Sequence, residues 1–313
     1  MSYLAYTASY DAIDKTDIFL ILSLLANSRT PYQVLAERLH LSVNAVHKRL
    51  QNLIEKGIVE GFTAKPSLYA LGAYDVIIHG QSRANPISDA MKRLSYNESV
   101  YWVAVASGNY LYVGCYIRSI DELEGVAEFV RGTAEIPEPK IGFITWGAIT
   151  PQKSDEPFDA LDWQIIYQLK DDSRKPLAEI AEAVNASAKT VRSHLDDMIR
   201  NYYIDISLRW YPDKGDDILT IFHVRTGPGV KLDQQDLTRR YLPNLLYAMT
   251  FSNLPGEHLL VTWTRSMKEL KELKARIEGE GLFESVYLNI LYTGEIYATW
   301  RDKLTEERGK VST

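Results

Sequence analysis

The amino-acid sequence predicts an α+β chain. Two winged helix-turn-helix units are each followed by a ferredoxin-like, split β-α-β domain, and the halves associate as an internal pseudo-dimer. Three observations predict this. Asp14–Leu50 maps onto Asp159–Leu195 without a gap, at an offset of 145 residues. Each repeat opens with three short stretches of helical periodicity separated by capping residues. Each then runs through strand-like and helix-like segments in the order β-α-β-β-α-β.

The repeat is legible residue by residue. "DKTDIFLILSLLANSRTP" lies over "DALDWQIIYQLKDDSRKP", so Asp14, Asp17, Arg29 and Pro31 fall on Asp159, Asp162, Arg174 and Pro176. Farther on, Ala36, Ser42, Val46 and Leu50 fall on Ala181, Ser187, Val191 and Leu195. Ile18, Ile21, Leu22 and Leu25 recur on one face of a first helix. Thr30-Pro31 supplies a cap and a proline at the first position of a second helix, which buries Leu35 and Leu39. Ser42 caps a third helix with Val46, Leu50 and Leu53 inward. Gly57 suits its left-handed C-terminal position, and "IVEGF" begins a β wing. The second repeat answers with Ile165, Ile166 and Leu169, then Ile180 and Val184, then Val191, Leu195 and Met198. It has Tyr202 where the first has Gly57, so its third helix is expected to end differently.

After each helical unit, the strands are expected at "AYDVIIHG", "SVYWVAVA", "NYLYVGCYI" and "PKIGFITW", then at "DILTIFHV", "NLLYAMTF", "HLLVTWT" and "ESVYLNILY". Helices are expected near Ile87–Leu94, Ile120–Arg131, Leu232–Tyr241 and Met267–Ile277. In the last, the charges of "KELKELKARIEG" form a solvated face over Leu270, Leu273 and Ile277, with Lys268–Glu272 and Glu272–Arg276 paired. The two sheets are expected to pack face to face through Val76, Ile78, Trp102 and Val113 on one side and Ile221 and Leu260 on the other, with both helical units flanking this core on the same side. The tail after Gly294 is expected to fray. Domain boundaries follow at 1–63, 64–150, 151–211 and 212–313, with a linker near Pro151–Pro157.

Bulk properties narrow the function. A net charge of −6 excludes a uniformly basic nucleic-acid coat but leaves room for a local basic patch. One cysteine, Cys115, in an apolar strand, excludes a disulfide framework and a thiolate metal cluster. Six scattered histidines have no metalloenzyme spacing. No catalytic residue, metal or cofactor is therefore predicted. No apolar run approaches the roughly 20 residues of a membrane span, and no signal peptide is visible, so a reducing, cytoplasmic location is expected.

The paired aspartates before the first helix, "NSR" or "DSR" before the second, Ser-x-x-x-Val in the third with Arg49 three residues on in repeat one, and the split β-α-β domain with its "SGNY" hairpin resemble the Lrp/AsnC family of transcription regulators. The resemblance covers Asp14–Gly147 and Asp159–Gly294. Family members are usually single units that dimerise, so this chain resembles two units fused. The resemblance implies double-stranded DNA as partner, further self-association through the sensing domains, and a possible small-molecule effector at the hairpin between the two middle strands.

The third helices carry the candidate DNA contacts. Outside the apolar stripe, repeat one offers Ser42, Asn44, His47, Lys48 and Gln51, with Arg49 and Arg38 as phosphate anchors unless Arg49 pairs with Asp14 or Asp17. Asn and Gln suit adenine, and Lys suits guanine or phosphate. Repeat two offers Ser187, Lys189, Arg192 and Ser193, but also Asp196. Residues 11–60 carry six basic and six acidic side chains, whereas residues 156–205 carry six and ten, so the second unit faces a polyanion less readily. Candidate effector contacts are Gly108, Asn109 and Tyr110, and Gly256, Glu257 and His258. The acid of the family's Gly-x-Tyr-Asp pattern is absent, and only Glu257 can compensate. Two alternatives stand beside the regulator. One is a tetrapyrrole enzyme like the siroheme decarboxylases, which also resemble paired units and would draw on His79, His223, His258, Arg83, Arg225 and Arg265. The other is an interaction protein of the same fold that leaves DNA alone.

Overall fold

The computed structural model describes residues 13–145, 157–211, 215, 217–227 and 229–310. The expected boundary at 150 and the linker from Pro151 lie outside the described residues up to Pro157. The first repeat comprises Lys15–Ala26 (α1), Tyr32–Leu39 (α2), Val43–Glu55 (α3), Val59–Pro66 (β1), Tyr74–Gln81 (β2), Ile87–Leu94 (α4), Val100–Ala106 (β3), Tyr110–Ile117 (β4), Leu123–Thr133 (α5) and Lys140–Thr145 (β5). The second comprises Ala160–Leu169 (α6), Leu177–Ala183 (α7), Ala188–Arg200 (α8), Ile204–Trp210 (β6), Ile218–Thr226 (β7), Gln234–Tyr241 (α9), Leu245–Phe251 (β8), Glu257–Thr264 (β9), Met267–Gly279 (α10), Phe283–Ile296 (β10) and Trp300–Gly309 (α11).

Both helical units start with the same device. Asp17 N donates to Asp14 Oδ1 at 2.9 Å and Asp14 N to Asp17 Oδ2 at 3.1 Å, while Asp159 and Asp162 repeat the box at 2.8 and 3.0 Å. Ser42 and Ser187 cap α3 and α8 by accepting from Ala45 N and Thr190 N. Pro31 sits one place earlier than expected. It is itself the cap residue, in extended backbone, and the Thr30 hydroxyl turns back to Asn27 O at 2.7 Å. The ends of α3 and α8 also correct the sequence reading. Tyr202 adopts the left-handed conformation that Gly57 adopts, at φ 57° against 69°. Tyr203 N then closes on Met198 O as Ile58 N closes on Leu53 O. The exposed phenol accepts a strain that a glycine would not feel.

The expected wing strands form, but neither stands alone. β1 pairs antiparallel with β6, Phe62 opposite Leu208 and Ala64 opposite Ile206, giving one two-stranded ribbon shared by the repeats. An isolated strand after each unit would leave both ladder edges open, and pairing with the matching strand of the other repeat satisfies one of them. The remaining eight strands close a barrel in the order β10-β3-β4-β2-β5-β8-β9-β7. Its seams are β10 with β3 and β5 with β8, each joining one strand from either half.

The faces of the strands differ from expectation in part. Ile221 and the half-buried Trp102 do face the barrel interior, together with Ile77, Tyr112 and Val261. Val76, Ile78 and Val113 face outward onto Met91 and Leu94 of α4 and Val126 and Val130 of α5. Leu260 likewise faces α9 and α10. Each sheet is covered on both sides, so both faces are apolar and alternation alone does not say which one meets the other half. Leu270, Leu273 and Ile277 are buried as expected. Lys268 reaches Glu272 at 4.0 Å, whereas Arg276 lies over the Tyr241 ring at 5.4 Å.

As far as Lys310 the tail is built into the fold. β10 continues to Ile296, and α11 follows behind a Thr299–Asp302 capping box. This helix packs on α6 and β1. Arg301, 4% exposed, donates to Pro66 O at 2.7 and 3.1 Å and to Asp205 Oδ2 at 2.7 Å, joining the end of β1 to the start of β6. Replacing Arg301 with Met strands the Pro66 carbonyl and is expected to cost on the order of 2–4 kcal/mol in urea unfolding. A loss below about 0.5 kcal/mol would contradict this account. Tyr202→Gly is expected to gain on the order of 0.5–1 kcal/mol in the same assay by relieving the left-handed backbone.

Candidate nucleic-acid interface

The two helical units meet at a joint whose two sides repeat. Ser28 Oγ and Ser173 Oγ, 145 residues apart, touch at 2.6 Å. Arg29 reaches across to Ser173 O at 2.7 Å and Lys175 O at 3.1 Å, and Arg174 reaches back to Ser28 O and Thr30 O. Each repeat thus caps the turn before the other's second helix with a guanidinium. With the antiparallel ribbon, this places α3 and α8 as mates about a pseudo-twofold axis.

The exchange is not symmetric in its surroundings. Arg174 lies over the rings of Tyr32, at 4.4 Å, and Phe62, at 5.4 Å. The counterparts of those rings in repeat two are Leu177 and Ser207. Arg29 instead lies in the field of Asp172 and Asp196, whose counterparts are Asn27 and Gln51. Burial and the Arg174 charge pull the Arg29 guanidinium down, and the two carboxylates oppose them. Part of the extra acid in repeat two therefore serves the buried cation that repeat one sends across.

Ser42, Asn44, His47 and Lys48 of repeat one are exposed, as is Arg38 on α2, and Gln51 is half-exposed. His47 stands edge-on to Tyr32 at 5.8 Å. In repeat two, Ser187, Lys189, Arg192 and Ser193 are exposed beside Asp196 and Asp197. Arg49 has another engagement: its Nη1 bridges Asp14 at 2.9 Å and Asp17 at 2.8 Å. His194 fills the same place in repeat two, with Nδ1 2.8 Å from Asp162 Oδ1. Both ties pin the third helix to the start of the first. Asp159, Asp162 and His194 bring three ligand-type atoms within 4.8 Å of one another, an arrangement that the capping box and this tie account for.

The hairpins expected to hold an effector are internally committed. Gly108 and Asn109 take left-handed backbone at φ 71° and 58°, and Gly256 at φ 80° has no room for a side chain beside Thr226 Oγ1. The Tyr110 hydroxyl contacts His79 Nδ1 at 2.8 Å. Glu257 pairs with Lys140 at 2.8 Å. His258 shares the helix-covered face with Leu260, away from the interior.

The histidines chosen by type for tetrapyrrole chemistry separate in the same way. His79 and His223 hold equivalent positions on β2 and β7 and meet inside the barrel, ring centroids 5.3 Å apart. They are packed rather than open. Tyr112 and Tyr287 contact the two nitrogens of His223 at 2.6 and 2.9 Å, and Asn289 donates to the Tyr112 hydroxyl at 2.7 Å. Arg225 pairs with Glu284 at 3.0 Å on the surface, while Arg83 and Arg265 are exposed. A cavity of about 2110 Å³ opens between the ribbon and the barrel mouth, and among the described residues none of these six side chains lines it. Cys115 is buried, and burial pushes its thiol up, away from nucleophilic chemistry. No helix of the described residues is long and apolar enough to cross a membrane.

Burial and the Lys140 charge, opposed by Glu257, pull His79 down to about 4, and burial with the charges of His79 and Lys140 pulls His223 down to about 3. Both are neutral in the folded and unfolded chain above about pH 6.5. Below that, the unfolded chain takes up protons that the folded one refuses, so stability falls as pH drops from about 6.5 through the folded values. Between pH 7 and 4.5, His79→Gln/His223→Gln is expected to lose on the order of 2–5 kcal/mol less stability than the parent chain. Parallel urea midpoints for the two proteins would refute this.

Comparison with known proteins bears on both helical units. Residues 13–60 match the model of a winged helix-turn-helix DNA-binding domain, and residues 158–198 that of an AsnC-type helix-turn-helix domain. The transcriptional regulator LrpA of Pyrococcus horikoshii is 33% identical over 100 residues, 32% of this chain and 71% of its own length. LysM of Saccharolobus solfataricus is 30% identical over 133 residues, 40% of this chain and 92% of its own. Such relatives correspond to one repeat. The crystal structure of a siroheme decarboxylase, NirDL, matches 93% of this chain and 98% of its own at a TM-score of 0.59 and 14% identity, a likeness of fold.

Proposed function

Because the chain belongs to the Lrp/AsnC family of transcription regulators, we propose that it binds double-stranded DNA in a sequence-specific manner as a single-chain pseudo-dimer, with α3 and α8 as its two recognition helices. The observation that carries this reading is the cross-axis joint of Ser28, Arg29, Ser173 and Arg174, which holds two helix-turn-helix units in fixed relation within one molecule. Two half-sites about one helical turn apart are what such a pair addresses. Ser42, Asn44, His47, Lys48, Gln51 and Arg38, with Ser187, Lys189, Arg192 and Ser193, are the contacts assigned to DNA. Arg49 acts through its aspartates to position α3 rather than as a phosphate anchor. The likeness to a decarboxylase is one of fold, and of its candidate side chains here only His79 and His223 meet. A cytoplasmic location and self-association through the outer faces of the sensing domains go with the regulator reading. Light scattering is expected to report a mass above 35.6 kDa at micromolar concentration.

The test is titration on duplexes selected by the chain from a random pool. His47→Ala/Lys48→Ala is expected to lose on the order of 2–4 kcal/mol, since a good base contact is worth about 1–3. Lys189→Ala/Arg192→Ala is expected to lose roughly half that, because Asp196 and Asp197 already oppose phosphate there, and to flatten the salt dependence by about one unit. Affinity unchanged in both variants would remove the proposal.

A further inference from the structure

We infer that the chain reads an oriented, non-palindromic operator, with α3 selecting an A·T-type half-site and α8 a G·C-type half-site. This deepens the DNA-binding reading and rests on it. A pseudo-twofold pair of helices enters the two half-sites with the same geometry but opposite strand sense. Were the helices identical, the preferred duplex would be an inverted repeat. Here the matched exposed positions differ in chemistry. Asn44 faces the groove where Lys189 does in the other half, His47 where Arg192 does, Lys48 where Ser193 does and Gln51 where Asp196 does.

The base preferences follow from donor and acceptor patterns. A carboxamide donates and accepts side by side, which matches N7 and the amino group of adenine, so Asn44 and Gln51 favour A·T pairs. Ammonium and guanidinium groups only donate, which matches N7 and O6 of guanine, so Lys189 and Arg192, with no carboxamide beside them, favour G·C pairs, whereas Lys48, between Asn44 and Gln51, is assigned to phosphate. Asp196 only accepts, which suits the amino group of cytosine and nothing that adenine's partner offers at that edge. A carboxylate beside phosphates is ordinarily costly, but Asp196 lies in the field of Arg29, delivered across the joint from repeat one. That cation moderates the repulsion. Repeat one has no acid at the matching position, and the guanidinium it receives, Arg174, rests on Tyr32 and Phe62 instead. The difference between the helices is thus continued into the joint beneath them. The shared ribbon holds the two unlike readers in one register, so the spacing of the two half-sites is fixed.

The experiment uses the full chain and selection from random duplexes, followed by titration at one salt concentration. The parent chain is expected to enrich a site with unlike halves and to bind it at least tenfold more tightly than a palindrome of either half. Asn44→Lys/His47→Arg/Lys48→Ser/Gln51→Asp, which gives α3 the face of α8, is expected to enrich the G·C-type palindrome. The reciprocal Lys189→Asn/Arg192→His/Ser193→Lys/Asp196→Gln is expected to enrich the A·T-type palindrome. These substitutions lie on the exposed face, and circular dichroism of each variant checks that the helices remain. A palindromic site enriched by the parent chain would overturn the inference while leaving DNA binding intact. So would an unchanged site in both folded variants. No enrichment of any sequence by the parent chain would instead remove the reading beneath it.

Discussion

When Phe62 settles opposite Leu208 and Ala64 opposite Ile206, the two repeats lose their freedom to move as separate bodies. The same pairing satisfies one open edge of each strand and brings Ser28 against Ser173. It also presents Ala64 and Ala70 of repeat one to the apolar core of the second helical unit. The barrel strands on the far side close only if the two halves enter from this joint, since each seam takes one strand from each repeat. Fusing two units in one chain makes this association intramolecular, so it does not dissolve on dilution as a dimer of separate chains does.

Within this near-symmetric frame the deviations have local causes. Arg29 and Arg174 cross the joint as equivalents, yet one is met by carboxylates and the other by aromatic rings. Arg49 and His194 both pin a third helix to a capping box, with a guanidinium in one repeat and an imidazole in the other. Inside the barrel, His79 and His223 occupy equivalent positions but only His223 is held at both nitrogens. A homodimer makes every such change twice, whereas a fused chain makes it once and keeps the other copy unaltered.

Much of this was legible in the sequence because duplication supplied an internal check. The strands and helices of both sensing domains and the caps at Asp14, Ser42, Asp159 and Ser187 lie where periodicity and capping chemistry put them. What escaped was tertiary. The partner of β1, the inward face of each strand and the meeting of His79 with His223 depend on residues more than 100 positions away, and no local period encodes them. Signals for some did exist. Ser-Arg recurs at both 28–29 and 173–174, and the two histidines end equivalent apolar runs, "VIIH" and "TIFH". Thr299 followed by Asp302 is a capping box that announces α11. Tyr202 is the opposite case: propensity argued against the left-handed backbone, and the surrounding contacts overrode it.

The last helix has a consequence for how the molecule is made. Arg301 ties Pro66 to Asp205, and Leu304 packs against the core of the second helical unit. Those two strands leave the ribosome roughly a hundred residues or more before the helix that fastens them. Until α11 is synthesised, the ribbon lacks its buried cation and the core lacks a wall. A fragment that lacks α11 still carries α3 and α8, but without the clasp beneath them. The ribbon and the core it borders are thus completed only once α11 has folded against them.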